Sequence, residues 1–155
     1  MKNVVLGVTG GIAAYKALEV VSRLRKLNIN VDVAMSKSAQ EFIRPLTFQS
    51  LSQNPVITDM FDEPKVFEIA HISLAKKADV FAVVPATANI IGKIANGISD
   101  DFITTSIMAT RAKILIAPAM NTQMYNNQIV QDNMKKLMGL GYHFVKPGAG
   151  RLACG

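Results

Sequence analysis

The chain predicts an α/β domain built on a doubly wound parallel sheet. Short, almost continuous apolar runs, VVLGV from Val4, DVFAVV from Asp79 and KILIA from Lys113, have the composition of strands buried on both faces. Between them lie stretches whose apolar residues recur every three or four positions, the period of a helix covering a core with one face. The two patterns alternate along the chain, which is the order of β–α–β units rather than of separate helical and strand regions.

Lys2 to Val8 reads as the first strand, meeting a tight turn at Thr9-Gly10-Gly11. From Ile12 the period changes: Ala13, Ala17, Val20, Val21, Leu24 and Leu27 mark one face of a helix that stops near Asn28. Val31 to Met35 is a second strand, Ser38 to Ser52 is helical in two pieces broken at Pro45, and Val56-Ile57 is briefly extended. Asp59 to Lys65, with Pro64 and mixed charges, reads as a loop, and His71 to Lys77 as a helix. Asp79 to Val84 is a strand ending at Pro85, followed by helices over Asn89–Asn96 and Asp101–Ala109. Lys113 to Ala117 is a strand ending at Pro118, Asn127 to Leu140 a helix, and Tyr142 to Val145 a last strand. There are no repeats, low-complexity tracts or linkers, so residues 1–155 are read as one domain, the usual size for a chain of 155 residues.

Composition narrows the class. Hydrophobic residues are 50% of the chain and charged residues 18%, an apolar balance for a small domain, which suggests that other subunits or a planar cofactor cover part of its surface. No run approaches the roughly 18 apolar residues of a membrane span, and Met1-Lys2-Asn3 leads into the first strand without a signal-peptide layout, so a cytoplasmic protein away from the membrane is expected. A single cysteine, Cys154, rules out an intramolecular disulfide framework. The net charge of +6 does not point to nucleic acid, because the 17 Lys and Arg are scattered and are not interleaved with aromatics. It suits anionic small substrates, whose local concentration the field raises.

Ligands of such sheets bind at the carboxyl ends of the strands. Here those ends are Thr9-Gly10-Gly11, Ser36-Lys37-Ser38, Pro85 to Asn89 and Pro118 to Asn121. The glycines at 7, 10 and 11 are not in the order of a dinucleotide fingerprint, and the second strand ends in Ser36-Lys37-Ser38 where a dinucleotide fold needs an acid for ribose hydroxyls. Hydroxyls and a lysine beside a helix start suit a phosphate monoester such as that of FMN; a polar turn with a capping serine is the competing reading. Pro85-Ala86-Thr87-Ala88-Asn89 and Pro118-Ala119-Met120-Asn121 share a design, small residues plus an Asn, compatible with a shared flat ligand or simply with helix caps. His71 opens a helix, where the imidazolium is disfavoured, so it is either a neutral base or a surface cap. Cys154 lies in an aperiodic Gly150–Gly155 stretch that reads as exposed loop. His143 is given no role, the eight methionines are mostly core filler with Met120 and Met124 nearest the pocket, and Asp100-Asp101 reads as a helix cap and first-turn acid. No metal site is expected.

The GVTGGIAAYK opening, the isolated His71, PATAN with IIGKIANG, PAMNTQMY and the terminal LACG together resemble the homo-oligomeric flavin-containing cysteine decarboxylases over essentially the whole chain. That family includes phosphopantothenoylcysteine decarboxylases and lantibiotic peptide-cysteine decarboxylases. The resemblance implies a flavodoxin-like, or Rossmann-like, three-layer sandwich with FMN as cofactor. It implies that Thr9, Gly10, Gly11, Ser36, Ser38, Thr87, Asn89 and Ala119 contact FMN. It makes His71 the base of the first half-reaction, Asn121 the group holding the substrate's carboxylate or neighbouring amide, and Cys154 the proton donor of the second. Met124 joins Asn121 at the substrate. The implied substrate is phosphopantothenoyl-cysteine, on the route to coenzyme A, with a peptidyl-cysteine decarboxylase and a non-catalytic FMN-binding regulatory subunit as alternatives. The implied assembly is a homotrimer or a dodecamer of trimers with the site between subunits. Tyr125 stands where several members have Trp, Asp101 where some have Asn, and members continue beyond the cysteine into a glycine-rich flap. A chain truncated at its C-terminal end, with a fused ligase domain absent, is the corresponding expectation.

Overall fold

The structure, a computed structural model, describes residues 1–61 and 70–147. β1 (Asn3–Val8), β2 (Asn30–Met35), β3 (Val80–Ala86), β4 (Lys113–Pro118) and β5 (His143–Phe144) form one sheet in the order β2-β1-β3-β4-β5. Every pairing is parallel. This is the flavodoxin-like strand order, in which the chain reverses its direction of travel across the sheet between β1 and β3.

Burial explains why the strands are apolar runs. Val5, Phe81 and Val83 face one layer, where α4 (Ala88–Ala95), α5 (Phe102–Ala109) and α7 (Gln128–Gly139) bring Ile90, Ile91, Ile94, Ile103, Ile107 and Leu137. Leu6, Val8, Val31 and Val33 face the other, against Ala14, Ala17 and Val21 of α1 (Ala14–Lys26) and Phe48 of α2 (Pro45–Ser52). Successive strand residues thus bury on opposite faces, and the expected three-layer sandwich follows. Among the described residues no helix is long and apolar enough to cross a membrane.

Several boundaries differ from the sequence expectation for identifiable reasons. α1 begins at Ala14 rather than Ile12, because residues 11–13 form a tight turn closed by Ala14 N–H donating to Gly11 carbonyl at 2.9 Å. Leu27, expected on the buried face, is its C-cap and is 70% exposed; Asn28, in the left-handed region at φ 58°, ends the helix. The piece expected from Ser38 is one 3₁₀ turn, Ala39–Glu41, before α2 starts with Pro45 at its first position. β3 continues through Pro85 to Ala86, with a shift of register between Val83 and Ala86. Ile57 forms an isolated parallel bridge to Ala34 rather than a strand. α6 (Thr122–Asn126), unforeseen, precedes α7 because Asn121 and Asn127 each cap a separate helix start. The expected Asp59–Lys65 loop is described only as far as Phe61, and α3 (Ala70–Lys77) begins one residue before His71.

Phe81 is fully buried on a strand hydrogen-bonded on both edges. Replacing it with Ala is expected to lower unfolding free energy by about 3–5 kcal/mol, the usual cost of an aromatic cavity. Urea denaturation followed by circular dichroism measures it.

Candidate functional site

Above the carboxyl ends of β1, β2 and β3 the chain leaves a cleft of about 460 Å³, lined by Thr9, Gly10, Ser36, Lys37, Ser38, Thr87, Asn89, Ile90, Lys93, Asp100 and Asp101. A second hollow, of about 480 Å³, shares Ser36, Lys37, Asp100 and Asp101 and extends to Met35, Gln40, Thr58 and Phe61. The strand-order reversal creates this space: the connections from β1 and β3 depart to opposite faces of the sheet and leave a crevice between them.

Each loop is shaped by local chemistry. Gly10 is required by close approach, since a Cβ there would lie 2.3 Å from Ser38 Cβ and 2.9 Å from its carbonyl carbon. No side chain fits without moving the Ser38 backbone. Gly11 is different: a Cβ would meet only Thr87 Cγ2, at 3.8 Å, an ordinary contact. Ser36 Oγ accepts from Ala39 N–H at 3.1 Å, so the capping reading of this turn holds for Ser36, whereas Ser38 makes no capping bond with its side chain. Thr87 Oγ1 accepts from Ile90 N–H at 3.2 Å and caps α4, whose first turn then presents its unpaired N–H groups at the cleft.

The charges in the cleft are unequally engaged. Lys93 Nζ donates to Asp100 Oδ2 at 2.7 Å. Asp101 Oδ1 accepts from Thr104 N–H at 2.8 Å while Asp101 N–H donates to Thr104 Oγ1 at 3.1 Å, completing a capping box at the start of α5. The helix thus starts one residue later than the sequence suggested: Asp101, expected as a first-turn acid, is the cap, and Asp100 is an ion-pair partner outside the helix. Lys37 has no ion-pair partner among the described residues, and with the start of α4 it makes this end of the cleft attractive to an anion.

Six of the eight residues expected at a cofactor, Thr9, Gly10, Ser36, Ser38, Thr87 and Asn89, line this one cleft. Gly11 adjoins it, its N–H donating to Thr9 carbonyl at 3.0 Å. Ala119 joins through the sheet, its N–H donating to Ala86 carbonyl at 3.0 Å, so the two Pro-Ala turns lie side by side. Asn121 and Met124 are exposed at the start of α6, outside the lining of the cleft in the single chain; Asn121 Oδ1 caps that helix by accepting from Gln123 and Met124 N–H. His71 is helical at the second position of α3, its side chain lying outside the described atoms, and Cys154 lies outside the described residues. Lys93, Asp100 and Asp101 were not expected in the site. For Lys93 the signal was present, since it follows Asn89 by four positions and so shares its helix face.

A flavodoxin-like α/β protein with an anion-attracting cleft at its β1/β3 reversal is the class that fold and site define. The chain belongs to the Flavoprotein family, which matches it over residues 1–155. It is 50% identical over 154 residues to the coenzyme A biosynthesis bifunctional protein CoaBC of Bacillus subtilis, covering 99% of this chain and 38% of that protein. It is 43% identical over 156 residues to the probable phosphopantothenoylcysteine decarboxylase of Streptococcus mutans, covering 99% of this chain and 87% of that one. The chain thus spans less than half the length of the bifunctional relatives it matches. Among solved structures it resembles the FMN-dependent cysteine decarboxylase SpaF, with a TM-score of 0.89 at 32% identity over 96% of this chain and 86% of that one. A cysteine variant of PPC decarboxylase complexed with pantothenoylaminoethenethiol gives 0.86 at 30% identity, over 99% and 86%.

The two glycines separate close packing from open space. Gly10→Ala is expected to cost about 1–3 kcal/mol, because the added methyl must push Ser38 backbone aside. Gly11→Ala is expected to stay within about 0.5 kcal/mol of the parent. Thermal unfolding of the two variants side by side checks the contrast.

Proposed function

We propose that this domain is an FMN-dependent decarboxylase that removes the cysteine carboxylate of phosphopantothenoyl-cysteine as carbon dioxide and leaves phosphopantetheine, a step in making coenzyme A. The observation that carries the reading is the convergence of the β1, β2 and β3 loops on one cleft whose residue types suit a mononucleotide. The similarity to CoaBC and to the Streptococcus mutans decarboxylase supports the substrate, and the likeness to SpaF supports the cofactor.

The cleft fits FMN by its chemistry. Gly10 and Gly11 keep the β1 turn free of side chains, Ser38 and Lys37 offer an uncapped hydroxyl and a cation with no ion-pair partner among the described residues, and α4 adds the dipole of its first turn. Thr9, Ser36, Thr87, Asn89 and Ala119 complete the set that would hold the cofactor. FMN, when bound, supplies the reversible two-electron oxidation that places an electron sink beside the carboxylate. The protein's part is positioning and proton transfer. His71 would take the proton of the substrate thiol, Asn121 would hold the carboxylate or adjacent amide through its free carboxamide N–H, and Cys154 would return a proton to carbon. Asn121 lies apart from the cleft in one chain, which suits a homo-oligomer, trimeric or a dodecamer of trimers, whose sites form between subunits. The exposed Tyr15, Leu46 and Ile129 are available to such contacts. A cytoplasmic location fits a step of coenzyme A synthesis.

Purified chain incubated with FMN should retain the yellow chromophore through gel filtration and release carbon dioxide from phosphopantothenoyl-cysteine, in preference to a peptide ending in cysteine. Protein that cannot take up FMN sinks the proposal; flavin binding with no release from either substrate leaves a binding module. His71→Asn should cut carbon dioxide release by at least about a hundredfold, the usual worth of a general base, while flavin absorbance persists. Unchanged turnover removes His71 from the mechanism.

A further inference from the structure

The ladder between β1 and β3 stops early. Its last paired residues are Gly7 and Val83, although β3 continues to Ala86, where it pairs with Pro118 of β4. Above Gly7 the backbone of β1 is committed elsewhere: Val8 carbonyl accepts from Ser36 N–H at 3.0 Å and Thr9 carbonyl from Gly11 N–H at 3.0 Å. Pro85 has no N–H to offer. The top of β3 is therefore left without main-chain partners on its β1 side, at the place where the cleft opens.

The Thr9 side chain fills that gap. Thr9 is 2% exposed, and its Oγ1 donates to Pro85 carbonyl at 2.5 Å while accepting from Thr87 N–H at 3.2 Å. In a parallel ladder, a residue that bonds to its neighbour strand takes the carbonyl on one side of its opposite residue and the N–H on the other. The hydroxyl takes the Pro85 carbonyl and the Thr87 N–H, the two groups that flank Ala86. On the other edge, Ala86 carbonyl accepts from Ala119 N–H at 3.0 Å, so the strand is gripped from both sides at this level.

We infer that Thr9 is a positioning residue of the cleft: its hydroxyl stands in for a missing strand residue and fixes Thr87, and through Thr87 the start of α4. Thr87 is held by its N–H on Thr9 and in turn caps α4 through Ile90 N–H, so the direction of the first turn of that helix depends on the bridge. Both bonds of the Thr9 hydroxyl run within the protein, and a ligand in the cleft meets the loop that Thr9 holds. The consequence for flavin rests on the proposed cofactor; the bridge itself does not.

Hydrogen exchange on the full 155-residue chain without FMN reads the bridge directly. Thr87 amide should be protected in the parent, lose at least about tenfold of its protection in Thr9→Val, which keeps the shape and removes the hydroxyl, and keep it in Thr9→Ser. Leu6 amide, lower in the ladder, should be unaffected by either change. FMN affinity should fall about tenfold in Thr9→Val and return in Thr9→Ser. Equal Thr87 exchange in parent and Thr9→Val, or failure of Ser to rescue, overturns the inference. So does unchanged FMN affinity alongside lost protection, because the bridge then positions nothing the cofactor uses. If Thr9→Val does not fold, rapid exchange of Thr87 amide in the folded parent overturns it and slow exchange supports it. A parent chain that shows the exchange pattern but takes up no FMN sinks the cofactor reading alone.

Discussion

β1 is hydrogen-bonded along both edges, to β2 and β3, and buried on both faces, so the chain can leave the sheet only at its carboxyl end. Since the connections from β1 and β3 depart to opposite faces, that end cannot be roofed by either helix layer. The crevice and the burial of the strand thus have one cause. Val5, Leu6 and Val8 are apolar because both faces are covered, and Gly10 is a glycine because the turn above them touches Ser38.

The polar groups around the crevice divide into those that build it and those left over. Asp101, Asp100 with Lys93, Ser36, and the hydroxyls of Thr9 and Thr87 are engaged in caps, an ion pair or a strand bridge. Such internal bonds fix the loops that line the cleft. Lys37 and the Ser38 hydroxyl, with no such partner among the described residues, line the cleft beside the first turn of α4. A site assembled this way is organised before its ligand arrives, so less ordering entropy is lost on binding.

The helices show the same economy of short signals. Asn121 and Asn127 lie six residues apart and each starts a helix, which turns a segment that reads as one loop and one long helix into α6 and α7. That break leaves Asn121 and Met124 exposed just beyond the carboxyl end of β4, outside the lining of the cleft.

Much of the architecture was legible in the amino-acid sequence, because two-sided burial and helix periodicity are imposed residue by residue. The apolar runs ending at Val8, Met35 and Pro118 locate β1, β2 and β4, and the small polar residues after the first two mark where the cleft opens. Why Gly10 tolerates no side chain while Gly11 has room for one, and that Thr9 serves β3 rather than its own strand, were not legible. Each depends on a contact between loops far apart in the chain, Thr9 with Pro85 or Gly10 with Ser38, and a distance of that kind exists only once β1, β2 and β3 lie side by side.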